Sequence, residues 1–71
     1  MTSKNFIKVI YSKKSGSKKF RVAAYFNENF NCEEYRVEQY KKAGTKYCWW
    51  PVGNLKSDYP DSAIEMLERR F

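Results

Sequence analysis

The chain has no histidine, and its 71 residues include only three glycines, two prolines and two cysteines. Each scarcity removes a class of function. Without histidine the commonest general base and metal ligand are missing. A nucleophile would then need a lysine or carboxylate base held in a pocket, and a domain of this size offers little concave volume. Cys32 and Cys48 lack a C-x-x-C spacing, and two thiols cannot complete a structural zinc site, which takes four ligands. No enzyme, no cofactor and no metal are expected. Cys48, beside Trp49 and Trp50, reads as a small core residue rather than a reactive thiol.

Long hydrophobic runs are absent too. Residues 6–11 (FIKVIY) are interrupted by Lys8 and are too few for a secretory signal or a membrane span. The expected setting is a reducing cytoplasm, with both cysteines free and no membrane partner. Repeats, low-complexity stretches and internal linkers are also missing, so residues 1–71 are expected to form one domain with a loose start over residues 1–4.

Acid is missing from the first 21 residues, which carry Lys4, Lys8, Lys13, Lys14, Lys18, Lys19 and Arg21. The next block, 22–40, is acidic through Glu28, Glu33, Glu34 and Glu38 against Arg36. Lys41, Lys42, Lys46 and Lys56 make residues 41–56 basic again, and the last fifteen residues are weakly acidic. The formal net charge is +6. Such uneven basicity points to a polyanionic partner. Lys, Asn, Tyr, Phe and Ile, the residues of A/T-rich codons, are abundant, as expected of an A/T-rich genome such as many bacteriophages and low-GC bacteria have.

What is present in quantity is aromatic: 18% of the residues, within a 42% hydrophobic total. A chain this short buries only ~60% of its unfolded surface, and dense ring packing is one of the few ways to support it without metal or disulfides.

The pattern predicts an α+β domain, β-β-β-β-α: a four-stranded antiparallel meander with one C-terminal helix packed on one face. Strands are expected at residues 6–11, 20–26, 34–40 and 47–52, from their β-branched and aromatic content. Polar turns are expected at 12–19 (SKKSGSKK), 27–31 (NENFN) and 41–46 (KKAGTK). Pro51 lacks a donor, which places the fourth strand at an edge or ends it there. After a connection at 53–59, a helix is expected from Pro60 to Phe71. Pro60 suits its first position, Ser62 and Glu65 have capping-box spacing, and Ile64, Leu67 and Phe71 form an apolar stripe beside Ala63.

In a meander the first and third turns lie at one end of the sheet. Lys13, Lys14, Lys18, Lys19, Lys41, Lys42 and Lys46 should therefore gather there, with Glu28, Glu33 and Glu34 at the other end. Alternation along strands assigns Ile7, Val9, Tyr11, Phe20, Val22, Ala24, Tyr35, Val37, Gln39, Cys48, Trp50 and Val52 to the helix side. The opposite face then mixes rings with cations: Phe6, Lys8, Ile10, Arg21, Ala23, Tyr25, Arg36, Glu38, Tyr40, Tyr47 and Trp49.

Rings interleaved with cations suit single-stranded nucleic acid, whose bases stack while cations hold phosphates. The site expected is Lys13, Lys14, Lys18, Lys19, Lys41, Lys42 and Lys46 on phosphates, assisted by Arg21 and Arg36, with Tyr25, Tyr40, Tyr47 and Trp49 as stacking surfaces. RNA or single-stranded DNA is favoured over duplex DNA. The rings could equally pack against one another as cross-strand pairs or hide in a homodimer through the open sheet face. The alternative function is a small inhibitor or adaptor, phage-encoded, whose basic end docks on an acidic protein surface. The order of elements is similar to that of single-strand-binding transcriptional coactivator domains, and the sheet-plus-helix plan resembles the arm-site DNA-binding domains of phage integrases. Both likenesses are of topology, without shared signature residues.

Overall fold

A computed structural model describes residues 4–71. Four strands, β1 (Lys4–Ser15), β2 (Lys18–Asn27), β3 (Cys32–Ala43) and β4 (Lys46–Ser57), are followed by a helix, α1 (Pro60–Arg70). The strands form one antiparallel sheet in the order β1-β2-β3-β4, and α1 packs on one face. The α+β meander expected from the sequence is the fold. The loose start expected at residues 1–4 falls largely outside the described residues, but Lys4 already belongs to β1.

All four strands run longer than their apolar segments. The lysine-rich stretches are strand rather than loop, and the turns shrink to Gly16 with Ser17 and Gly44 with Thr45. Both glycines take positive φ, 62° and 65°, the left-handed backbone that two-residue hairpin turns demand. Phe20 thus faces Lys13, and Trp49 faces Tyr40. Centring the two hairpins on their six- to eight-residue polar turns would instead set Phe20 opposite Tyr11 and Trp49 opposite Glu38; the two-residue shift leaves each residue near the turns on its expected face. Between β2 and β3 the asparagines do make the loop: Asn27 Oδ1 accepts the Asn29 N–H at 3.0 Å, and Asn31 is left-handed.

The helix side holds a small dry core of Phe20, Val22, Val37, Ala63 and Leu67. The helix starts at the β4 end and finishes over β1 and β2. At its C-terminal end Glu68 accepts from the Tyr11 hydroxyl and from Lys13 at 3.0 Å, and Phe71 stacks on Phe20 with centroids 4.1 Å apart. Pro60 occupies the first turn as expected. Tyr59 is the N-cap and makes no side-chain cap bond. With the cap at Tyr59, Ser62 lies inside the first turn, so the capping box does not form, and Glu65 pairs with Arg69 instead.

The structure departs from the expected pattern in three places, each for a local reason. Two bulges in β1, between Phe6 and Lys8 and between Val9 and Tyr11, each reverse the alternation. Val9 consequently pairs with Ala23 on the open face and Lys8 with Ala24 on the helix side, while Ile10 packs against the core and Ile7 stays exposed. A larger bulge in β4 sets residues 52–55 against Val37 alone, and Val52 and Leu55 both reach the core. The strand therefore continues past Pro51 to Ser57, with β4 at the sheet edge. Finally, the diagonal helix leaves the β3–β4 corner at the two-residue turns uncovered. Trp50 and Cys48 share the helix side there, but Trp50 is 40% exposed and Cys48 is exposed rather than a core residue.

Candidate nucleic-acid interface

The face away from the helix is where the sequence puts rings among cations, and its register explains how they combine. Arg21 stands opposite Glu38, and Ala23 opposite Arg36. Arg21 Nε lies 2.7 Å from Glu38 Oε1, and the other Glu38 oxygen accepts from the Tyr25 hydroxyl. Glu38 is only 3% exposed. A carboxylate so buried needs partners of this kind. Burial and the bond to Glu38 together push the Tyr25 hydroxyl pKa up. Arg36 lies 3.3 Å from Glu34 in the same way.

The same guanidiniums sit over rings. The Arg21 guanidinium is 4.4 Å from the Trp49 centroid and 5.3 Å from Phe6. Trp49 leads on to Tyr40 at 5.1 Å, and Tyr40 stacks on Tyr47 at 5.5 Å with planes 20° apart. In the other direction Phe6 meets Tyr25 edge-on at 5.7 Å, with Arg36 beyond at 5.8 Å. Rings and guanidiniums thus form one continuous ladder touching all four strands, with Tyr47 exposed at one end. Beneath the ladder Ala23 is fully buried.

The sequence-derived site therefore separates into two groups. Arg21, Arg36 and Tyr25 are committed to buried carboxylates within the ladder. Lys13 is held by Glu68, against the expectation of a lysine end free of acid. Lys14, Lys18, Lys19, Lys41, Lys42 and Lys46 are exposed beside the two turns at the same end of the sheet, as the meander requires. On the open face Lys14 pairs with Lys19, Lys19 with Tyr40, and Lys42 with Tyr47. Lys19 Nζ lies 5.9 Å from the Tyr40 centroid. A groove of about 420 Å³, lined by Ser12, Lys13, Lys14, Lys19, Phe20 and Trp49, opens beside them.

Sequence reading missed Ser12 in that groove, the half-exposed Trp50 on the reverse side of the same hairpin, and the burial of Glu34 and Glu38. The facing of Arg21 by Glu38 depends on the β2–β3 register, which brings together residues seventeen apart. The exposure of Trp50 depends on where the helix ends and left no local signal. Among the described residues no cluster of His, Cys, Asp or Glu could hold a metal ion, and no helix is long and apolar enough to cross a membrane.

No protein family, curated protein or solved structure matches the chain.

Proposed function

We propose that the protein binds single-stranded nucleic acid, RNA or DNA ahead of duplex, at the turn end of its open face. One observation carries the reading: the exposed Tyr40–Tyr47 stack and Trp49 stand among Lys14, Lys19 and Lys42, none of which has a carboxylate partner among the described residues. A base can extend the stack on Tyr47, while the groove at Ser12, Lys14 and Lys19 receives a phosphate. Base-on-ring stacking contributes ~1–3 kcal/mol per base and tolerates any sequence. Lysines bind phosphate as point charges, without the fork that arginine offers, so sequence preference should be weak.

The inhibitor reading draws support from a different feature. Trp50 with Cys48, rimmed by Lys41 and Lys46, makes an apolar anchor in a basic surround, which an acidic protein surface could use.

A salt-dependent titration against single-stranded RNA, single-stranded DNA and duplex DNA tests the proposal. Neutralising about four phosphates on a single strand should give a log–log salt slope of about −3. Lys14→Glu with Lys42→Glu should abolish binding without unfolding the protein, and Tyr47→Ala should weaken it about tenfold or more. Affinity unchanged by salt or by these substitutions defeats the reading.

A further inference from the structure

The end of the sheet away from the two-residue turns is built to opposite specifications. Glu28, Glu33, Glu34, Asp58 and Asp61 lie there against Lys56, Arg36, which pairs with Glu34, and Lys4 at the start of β1, so this end is still net acidic. The partners that Glu28 and Glu33 do have, Asn5 and Tyr35, are uncharged and leave their charge intact. This end is also concave. A cavity of about 580 Å³ is lined by Asn27, Phe30, Cys32, Glu34 and residues 56–59. Its two rings are among the most exposed in the molecule, Phe30 at 76% and Tyr59 at 70%. At the opposite end the β3–β4 hairpin closes through Gly44 and Thr45 and carries the exposed Lys41, Lys42 and Lys46.

We propose that the β3–β4 hairpin tip of one copy docks into the Phe30–Tyr59 cavity of the next, so that the protein associates head to tail. Charge complementarity is the first argument, a tip of lysines meeting a net-acidic rim. The second is the chemistry of the cavity wall, because exposed rings beside carboxylates hold ammonium groups by cation–π attraction as well as by charge. The third is that lateral pairing of sheets is blocked. At one edge β1 carries two bulges and several lysines, and at the other β4 carries Pro51 and a wide bulge, all devices that prevent edge-to-edge pairing.

Such a contact joins two different patches, so it does not close on itself and can propagate. The area at the end of so small a molecule places it among weak, transient interfaces, and its charge makes it salt-sensitive. It also uses the lysines assigned above to nucleic acid, so the two ligands should compete. The association itself does not depend on that assignment.

Sedimentation velocity on the full chain tests the proposal, with two variants. Lys42→Glu with Lys46→Glu damages the tip; Phe30→Ser with Tyr59→Ser damages the cavity at positions too exposed to matter for folding. Wild-type sedimentation should rise with concentration in ~20 mM salt and stop rising in ~0.5 M salt. Each variant alone should remain monomeric. Mixed in equal amounts, they should form one-to-one dimers and nothing larger, because only one intact tip–cavity pair remains between them. A monomeric wild type in low salt, a wild type that stops at a dimer, or a mixture that fails to pair overturns the proposal. The cavity variant should keep full affinity for nucleic acid, so failure here and failure of the nucleic-acid reading are separable.

Discussion

Val37 and Glu38 are neighbours on β3 and both are almost inaccessible, at 0% and 3% exposure, yet they are buried by opposite means. Val37 lies under the helix among Phe20, Val22 and Leu67, where close packing and exclusion of water stabilise it. Glu38 points the other way, where none of the described residues forms a second layer of secondary structure. It is covered by side chains alone: the Arg21 guanidinium, held over Trp49 and Phe6, and the Tyr25 ring. Five of the described residues form the dry core, as the small buried fraction of so short a chain leads one to expect. The comparison teaches that planar side chains can act as a missing layer. A guanidinium and a ring each present a flat apolar surface, and the guanidinium also satisfies the carboxylate beneath.

If the ladder is a second core, breaking it should cost as much as breaking the first. Glu38→Ala would strand Arg21 in a half-buried setting and is expected to cost ~3–5 kcal/mol. Leu67→Ala, on the helix side, should cost ~2–5 kcal/mol by leaving a cavity. Urea unfolding of both variants checks the equivalence. A loss below ~1 kcal/mol for Glu38→Ala would reduce the ladder to surface decoration.

The two tryptophans sharpen the same comparison at smaller scale. Trp49 is half-buried between Arg21 and Tyr40, and Trp49→Ala should cost roughly 2–3 kcal/mol. Trp50 faces the helix side beyond the reach of the helix, and Trp50→Ala should cost under ~1 kcal/mol. The sequence pattern points the other way, with Trp50 on the helix side and Trp49 on the open face as a stacking surface for a ligand. Thermal melts of the two variants decide between a ladder that stabilises the sheet and rings that merely rest on it.

That reversal shows where sequence reading reaches and where it stops. Strand order, the C-terminal helix and the gathering of lysines at one end follow from alternation and turn chemistry, which are local. The opposite facings of Trp49 and Trp50 also follow, because a two-residue register shift preserves faces. What the sequence could not show is cover. Whether Trp50 is buried depends on the diagonal course of α1, and whether Arg21 is free for phosphate depends on Glu38, seventeen residues away. The β1 bulges, which exchange Val9 for Ile10, have no local marker in a run of β-branched residues. The candidate site was therefore legible as a list of lysines and rings. Its division into a free group and a committed group was not.

The smallest expected effect concerns the pair of bonds to Glu68 that helps tie the lysine end to the helix. Glu68 accepts from the Tyr11 hydroxyl and from Lys13, and these two bonds hold its carboxyl below the usual range, while the bond to Glu68 holds the Tyr11 hydroxyl above its ordinary value. A carboxyl lowered in the folded state adds stability that is complete above its unfolded value and is lost as pH falls through the folded one. A tyrosine raised in the folded state adds stability below its unfolded value, lost as pH rises through the folded one. Folding should therefore weaken at both the acid and the alkaline edges. Glu68→Gln should be slightly less stable than wild type at neutral pH and should converge with it in acid, where the wild-type carboxyl is protonated too. The same substitution frees Lys13 beside the Lys14–Lys19 groove. On the nucleic-acid reading, one more lysine on a phosphate steepens the single-strand salt slope by about 0.7. Melting curves across pH test the first expectation, and the titration slope tests the second. Parallel pH–stability curves for the two proteins would show that Glu68 contributes no charge-dependent anchor. An unchanged slope would show that Lys13 lies outside the bound strand.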